Sequence, residues 1–210
     1  MTVLYTGTDP SNFYTEKPLI HCPLIKIVPR SFQERKIQVV FEDLPKYTHL
    51  VFTSKNAVPI FFDFVQQAGY KLEDTKALVI AVGKATAEVL KQFQFKVDLI
   101  AKDEHQEGII AELEWLDLEN AYFLLPKSSL SRPELENYLI RRSIRFQACD
   151  LYDTETHKPS KLPNLDEVDE IVFTSPSTVL AFLQIFSAIP KDKKITPVGP
   201  VTARALLRSP

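Results

Sequence analysis

Short apolar runs alternate with amphipathic stretches along most of the chain. Val51 to Thr53 is an apolar, β-branched and aromatic run of the kind that fills a buried strand. Asn56 stands where a helix cap is expected, which puts Pro59 at the third helical position, where a missing N–H costs nothing. Ile60, Phe61, Phe64 and Val65 then recur at helical spacing. Ala77 to Val82 predicts a second buried strand that ends at Gly83, followed by a helix from about Thr86 carrying Val89, Leu90 and Phe93. Tyr122 to Leu125 predicts another strand. Ser131 to Arg142 predicts a helix with Ser131 as cap and Pro133 in its first turn, and Arg145 to Leu151 returns as a strand. Val3 to Tyr5 and Leu24 to Val28 read as a further strand pair, with too little helix-forming material between them for more than a short helix.

The pattern repeats. His49-Leu50-Val51-Phe52-Thr53-Ser54-Lys55-Asn56-Ala57-Val58 matches Glu170-Ile171-Val172-Phe173-Thr174-Ser175-Pro176-Ser177-Thr178-Val179 at an offset of 172 − 51 = 121. Leu180, Phe182, Leu183 and Phe186 continue the second copy, with Ser177 in the position of Asn56. Ala81-Val82-Gly83-Lys84-Ala85-Thr86-Ala87 matches Pro197-Val198-Gly199-Pro200-Val201-Thr202-Ala203 at 199 − 83 = 116. Two matches in one order at nearly one offset point to two related domains. Strands alternating with helices predict an α/β class with parallel sheets covered on both faces. The periodicity leaves two partitions open: tandem domains split near residue 118, or a chain that leaves its first domain after about Arg30 and returns near Thr156. Pro29-Arg30 and the polar, proline-containing stretch from Thr154 to Pro163 suit linkers.

Composition narrows the function classes. The 210 residues are 45% hydrophobic and 25% charged, enough for one core or two small ones. Lys and Arg number 25 against 27 Asp and Glu, so the net charge of −2 gives no basic footprint for nucleic acid. No apolar run reaches bilayer length, and Thr2-Val3-Leu4 supplies no basic leader, so a cytosolic protein without a signal peptide is expected. Cys22 and Cys149 form no CxxC, and His21, His49, His105 and His157 have no partner at metal-ligand spacing, so no metal is expected. Gly7, Gly69, Gly83, Gly108 and Gly199 build neither a dinucleotide fingerprint nor a P-loop. A receiver module would need an acidic pair after its first strand and an acceptor aspartate after its third; the sequence offers no such set.

These segments, with Leu125-Pro126, Arg132, Leu135 and Leu151-Tyr152-Asp153-Thr154, resemble the uroporphyrinogen-III synthase family in the family's order over nearly the whole chain. The resemblance departs at both ends. Tyr5-Thr6-Gly7-Thr8-Asp9-Pro10 stands where the family has an arginine-proline pair and a full helix, and the family's further strand and helix beyond the Gly199 helix have no counterpart before Pro210. The resemblance implies two flavodoxin-like α/β domains joined by a two-stranded linker, with the active site in the cleft. It selects the discontinuous partition: residues 1–30 plus 157–210 as one domain, 36–150 as the other, and linkers near 31–35 and 151–156.

It further implies a cofactor-free, monomeric lyase. Such an enzyme closes hydroxymethylbilane, a linear tetrapyrrole with eight carboxylates, through a spiro intermediate with loss of water and inversion of the last ring. The alternative is a two-lobed binding module of the same fold that does not catalyse. Carboxylates are expected at the strand-to-helix turns, where helix N-termini offer free N–H groups and positive dipole ends. Those turns hold Thr53, Ser54 and Asn56; Gly83, Lys84 and Thr86; Lys127, Ser128 and Arg132; Ser175 and Ser177; Gly199 and Thr202. The resemblance adds Thr202 as a substrate contact, and Tyr152 as the tyrosine that protonates or orients the departing hydroxyl. Each residue also has a purely structural role open to it. The serines and Asn56 suit caps, Gly83 and Gly199 suit tight turns, Lys84 suits a solvated surface, and Arg132 suits an ion pair with Glu136. Asp103, Glu104, His105 and Glu107 read as the solvated start of the helix carrying Ile109, Ile110, Leu113 and Leu116.

Overall fold

The computed structural model describes residues 1–72 and 75–208. Its contacts divide the chain into two compact units: Met1–Ile27 with Thr154–Pro210, and Val28–Asp153.

The unit Val28–Asp153 carries β4 (His49–Phe52), β5 (Leu78–Ala81), β6 (Leu99–Ile100), β7 (Tyr122–Ser128) and most of β8 (Arg145–Thr156). The sheet order is β3-β8-β7-β4-β5-β6, where β3 (Ile25–Pro29) and β8 are the strands through which the chain passes from one unit to the other. From β8 to β6 every neighbouring pair is parallel, so the carboxyl ends of these strands share one sheet edge. Each β4 residue is buried, as expected of a strand covered on both faces. The covering helices are α1 (Arg35–Glu42), α2 (Ala57–Gln67), α3 (Lys84–Gln92), α4 (Gln106–Leu113) and α5 (Glu134–Arg141). Val51, Ile80, Ile109, Leu113, Phe123, Leu135 and Leu139 form the core between sheet and helices, each at most 2% exposed. Phe32, Phe41, Phe61 and Phe64 pack ring against ring at 5.5–5.8 Å.

The unit Met1–Ile27 with Thr154–Pro210 carries β1 (Val3–Tyr5), β2 (Leu19–His21), β9 (Glu170–Phe173) and β10 (Lys194–Pro197), all parallel in the order β10-β9-β1-β2. Its helices are α6 (Pro176–Phe186) and α7 (Pro200–Leu207). Leu4, Leu24, Ile171, Phe173, Val179 and Phe182 form its core.

The repeat is visible in the topology: β7-β4-β5 in one sheet has the same order as β1-β9-β10 in the other. The predicted equivalence of the flanking strands does not hold. The place beside β1 goes to β2, which hydropathy did not single out, and β3 joins β8 instead. No helix lies between β1 and β3 among the described residues. Three predicted starts also shift. The fifth helix begins at Glu134 with Pro133 at its cap position and no side-chain cap, so Ser131 does not cap it. The third begins at Lys84 rather than near Thr86, and the seventh at Pro200 rather than at Thr202, the position the repeat matches to Thr86.

Candidate active site

Tyr152 is positioned by an irregularity in β8. Lys127 pairs with Asp150 in the β7–β8 ladder, but Ser128 pairs with Tyr152, so Leu151 is skipped. Alternation along β8 is broken there, and Leu151 and Tyr152 are both buried, at 0% and 3% exposed. The Tyr152 hydroxyl donates to Ser54 Oγ at 2.9 Å. The Asn56 N–H donates to the same oxygen at 3.2 Å. Burial pushes the Tyr152 phenol above its ordinary value, while hydrogen bonds with Ser54, Ser128 and Asn56 pull the other way. Ser54, Asn56, Ser128 and Tyr152 thus meet at the carboxyl ends of β4, β7 and β8, with Thr53 next to Ser54 in the chain.

The end of β8 is held firmly. Asp153 accepts both Nε and Nη2 of Arg30 at 2.9 Å, and Ser129 Oγ at 2.5 Å. Those partners hold its carboxyl down at about 2.

The cations expected to meet a polyanion divide into two groups. Lys127 is engaged internally, with Asp150 at 2.9 Å and Glu136 at 3.3 Å, and these partners outweigh the burial that would otherwise lower its pKa. Arg132 does not take the predicted partner Glu136. It grips Glu107 in a bidentate pair at 2.7 Å for each contact, with Glu134 at 3.4 Å. That pair holds the Glu107 carboxyl at about 2. Lys84 is exposed at the first position of α3.

The α3 turn is also not as predicted. Gly83 has φ −176°, an extended backbone open to any residue, so it does not serve a tight turn. A Cβ there would come within 2.6 Å of the Glu104 carboxyl, whose Oε1 accepts the Lys84 N–H at 3.1 Å. The chain's own carboxylate therefore sits on this helix N-terminus. Thr86 lies buried just inside the helix. The acidic stretch is thus a set of partners and caps: Glu104 on α3, Glu107 on Arg132, and His105 capping α4 by accepting the Gly108 N–H at 3.2 Å.

In the other unit, Ser175 and Ser177 follow β9, and Gly199 and Thr202 follow β10. The cap of α6 is Ser175, not Ser177. Ser175 Oγ accepts the Thr178 N–H, and Thr178 Oγ1 accepts the Ser175 N–H. Asn56, at the matching boundary of α2, makes no side-chain cap. Gly199 has φ +85°, so its turn does require glycine. Thr202 is 2% exposed and donates its hydroxyl to the Val198 carbonyl at 3.1 Å, so its proton is already in use.

Sequence reasoning missed Gln106. It is buried, donates to Ser131 Oγ at 3.1 Å and the Arg132 carbonyl at 2.9 Å, and accepts the Leu135 N–H at 3.0 Å. It supplies the cap that α5 lacks locally, and a glutamine at the head of another helix gives no local signal of that. Among the described residues, no group of three or more His, Cys, Asp or Glu side chains could hold a metal ion. No helix of the described residues is long and apolar enough to cross a membrane.

Comparison with known proteins bears on this geometry. Residues 18–209 match the family profile described as uroporphyrinogen-III synthase HemD. The porphyrin biosynthesis protein HemD of Ruminiclostridium josui is 30% identical over 184 residues, or 82% of this chain; the chain spans only 35% of that relative's length. A crystal structure of a mutant uroporphyrinogen III synthase from Thermus thermophilus superposes with a TM-score of 0.67 at 20% identity, covering 98% of this chain and 88% of that one. The uroporphyrinogen-III synthetase of Helicobacter pylori gives 0.61 at 20% identity, covering 98% and 87%. At such identity the two structures establish the shared α/β fold with parallel sheets, and no more.

Proposed function

The chain belongs to the uroporphyrinogen-III synthase family, and from that premise we propose that it closes hydroxymethylbilane to uroporphyrinogen III with loss of water and inversion of the last ring. The observation that carries the reading is the Tyr152 hydroxyl, set by the β8 irregularity against Ser54 at the carboxyl edge of the sheet. Open α/β sheets bind ligands at that edge, and a hydroxyl held there can assist the departure of another hydroxyl.

The reaction asks mainly for a folded substrate and stabilisation of charge as the hydroxyl leaves. Helix N-termini suit the carboxylates, and in this reading the α2, α6 and α7 turns supply them. The α3 turn would receive a carboxylate only if Glu104 moves aside. Ser54, Asn56, Ser128 and Tyr152 act at the reacting end, while Lys127 and Arg132 hold the turn between β7 and α5 in shape.

The reading includes the arrangement implied by the resemblance: two domains, 1–30 plus 157–210 and 36–150, joined by a two-stranded linker, with the substrate in the cleft. The two crossings of the chain between the units, at Ile27–Val28 and Asp153–Thr154, support the two linking strands of that reading. It also includes action in the cytosol as a monomer without a cofactor.

The test generates hydroxymethylbilane in situ, adds the purified chain, and separates the oxidised porphyrin isomers by chromatography. Predominant type III product is expected. Type I alone, the isomer of unassisted closure, would contradict the proposal and favour the non-catalytic binding module.

A further inference from the structure

The phenol is the more acidic of the two hydroxyls, so in the Tyr152–Ser54 pair it is the donor. The phenol is 3% exposed and gives its proton to Ser54 Oγ, while Ser54 itself is only partly buried. Ser54 Oγ accepts twice, from Tyr152 Oη at 2.9 Å and from the Asn56 N–H at 3.2 Å. A serine hydroxyl has two acceptor positions and one proton. Both acceptor positions are filled, so what Ser54 can offer a ligand is its proton. A substrate oxygen arriving at this sheet edge meets Ser54 before it meets the buried phenol.

We infer that Ser54 delivers the proton to the departing hydroxyl and that Tyr152 stands behind it, resupplying that proton through their hydrogen bond; the inference rests on the synthase reading above. When the carbon–oxygen bond breaks, its electron pair leaves with the oxygen. That oxygen takes the Ser54 proton and departs as water, and the pyrrole nitrogen lone pair stabilises the carbon left behind. Ser54 Oγ takes the Tyr152 proton in the same motion. Ser128 and Asn56 lie within reach of the phenolate oxygen, and both can donate to it. Closure of the macrocycle releases one proton as the last ring regains its aromaticity. That proton returns through Ser54 to Tyr152, and the protein ends the cycle unchanged. Ser54 is then the catalytic residue, and Tyr152 is a positioning residue that acts through it.

The test measures kcat and KM for type III formation in the wild type, Ser54→Ala, Ser54→Thr, Tyr152→Phe and the Ser54→Ala/Tyr152→Phe double variant. Thermal melts check that each variant folds. A positioned proton donor contributes on the order of 100-fold or more. Ser54→Ala and Tyr152→Phe are each expected to lose about 100-fold in kcat with KM little changed. The double variant should fall no further than the worse single one, because one relay is broken only once. Ser54→Thr, which keeps the hydroxyl, should recover most of the rate. A solvent deuterium isotope effect on kcat should be present in the wild type and lost in Ser54→Ala. Type III from the wild type with undiminished turnover in Ser54→Ala overturns the relay alone. So do losses that multiply in the double variant, or failure of Ser54→Thr to recover the rate. A wild type that yields only type I overturns the synthase reading, and the relay with it.

Discussion

Glu170 opens β9 with a carboxylate that is almost out of water, 5% exposed. It accepts from Lys17 and Lys194 at 2.9 Å and from Thr196 at 2.6 Å. Those hydrogen bonds, led by Thr196, lower its pKa from 4.5 to about 2. The folded value lies below the unfolded one, so its contribution to stability is complete above pH 4.5. The contribution is lost as the pH falls through about 2. At about 1.4 kcal/mol per unit, discounted because Lys194 is exposed and Lys17 only half-buried, it is worth roughly 2 kcal/mol. Glu170→Gln is expected to lower stability at pH 7 by about that much. It should also flatten the loss of stability between pH 4.5 and 2 in denaturant titrations; an unchanged acid limb would contradict this role. The repeat aligns Glu170 with His49, which is likewise buried at the head of its strand, stacked on Phe123 at 4.3 Å. A polar residue leading an apolar strand was visible in both copies. Its partner was not, because Lys17 and Lys194 arrive from distant parts of the chain. The Tyr152-Asp153-Thr154 resemblance pointed to Tyr152, while its hydrogen bond to Ser54, 98 positions away, left no trace in the sequence.

Apolar patterning found the strands wherever they are buried on both faces, as in β4, β5, β7 and β9. It missed β2 and β6, which are short and partly exposed edge strands with little hydrophobic signal. Helix starts were misplaced where the cap comes from afar or from a neighbouring position. The α6 cap distinguishes two nearby candidates. Ser175→Ala removes a reciprocal capping box and should cost about 1 kcal/mol, while Ser177→Ala should cost less than about 0.5. Equal costs in a thermal melt would reject the assignment. Gly108 is constrained by the turn before α4. A Cβ there would lie 2.0 Å from the Asp103 carbonyl oxygen, which is backbone and has no rotamer to change. Gly108→Ala should therefore destabilise by about 1–3 kcal/mol despite alanine's better helix propensity, and a neutral or stabilised variant would contradict that packing.

Across the molecule, the strongest signal was the internal repeat, and it correctly paired β4 and α2 with β9 and α6, and β5 and α3 with β10 and α7. Patterning left the partition of the chain open, since tandem and discontinuous domains contain the same elements. The contacts group residues 1–27 with 154–210. A net charge of −2 gives no hint of the polyanionic substrate proposed above, and counting charges says little here because Lys127 and Arg132 are committed to carboxylates of the protein itself. On the reading proposed above, binding of the substrate would fall mainly to backbone N–H groups and hydroxyls, which carry no formal charge. On the reading proposed above, this arrangement folds hydroxymethylbilane and inverts its last ring. The ratio of type III to type I product, followed as the concentration of purified chain is raised against a fixed supply of hydroxymethylbilane, decides this. The ratio is expected to climb with the chain until type III dominates, and to stay near the uncatalysed value with Tyr152→Phe at the same low concentrations. A ratio that stays at the uncatalysed value at every concentration of the wild type would contradict it.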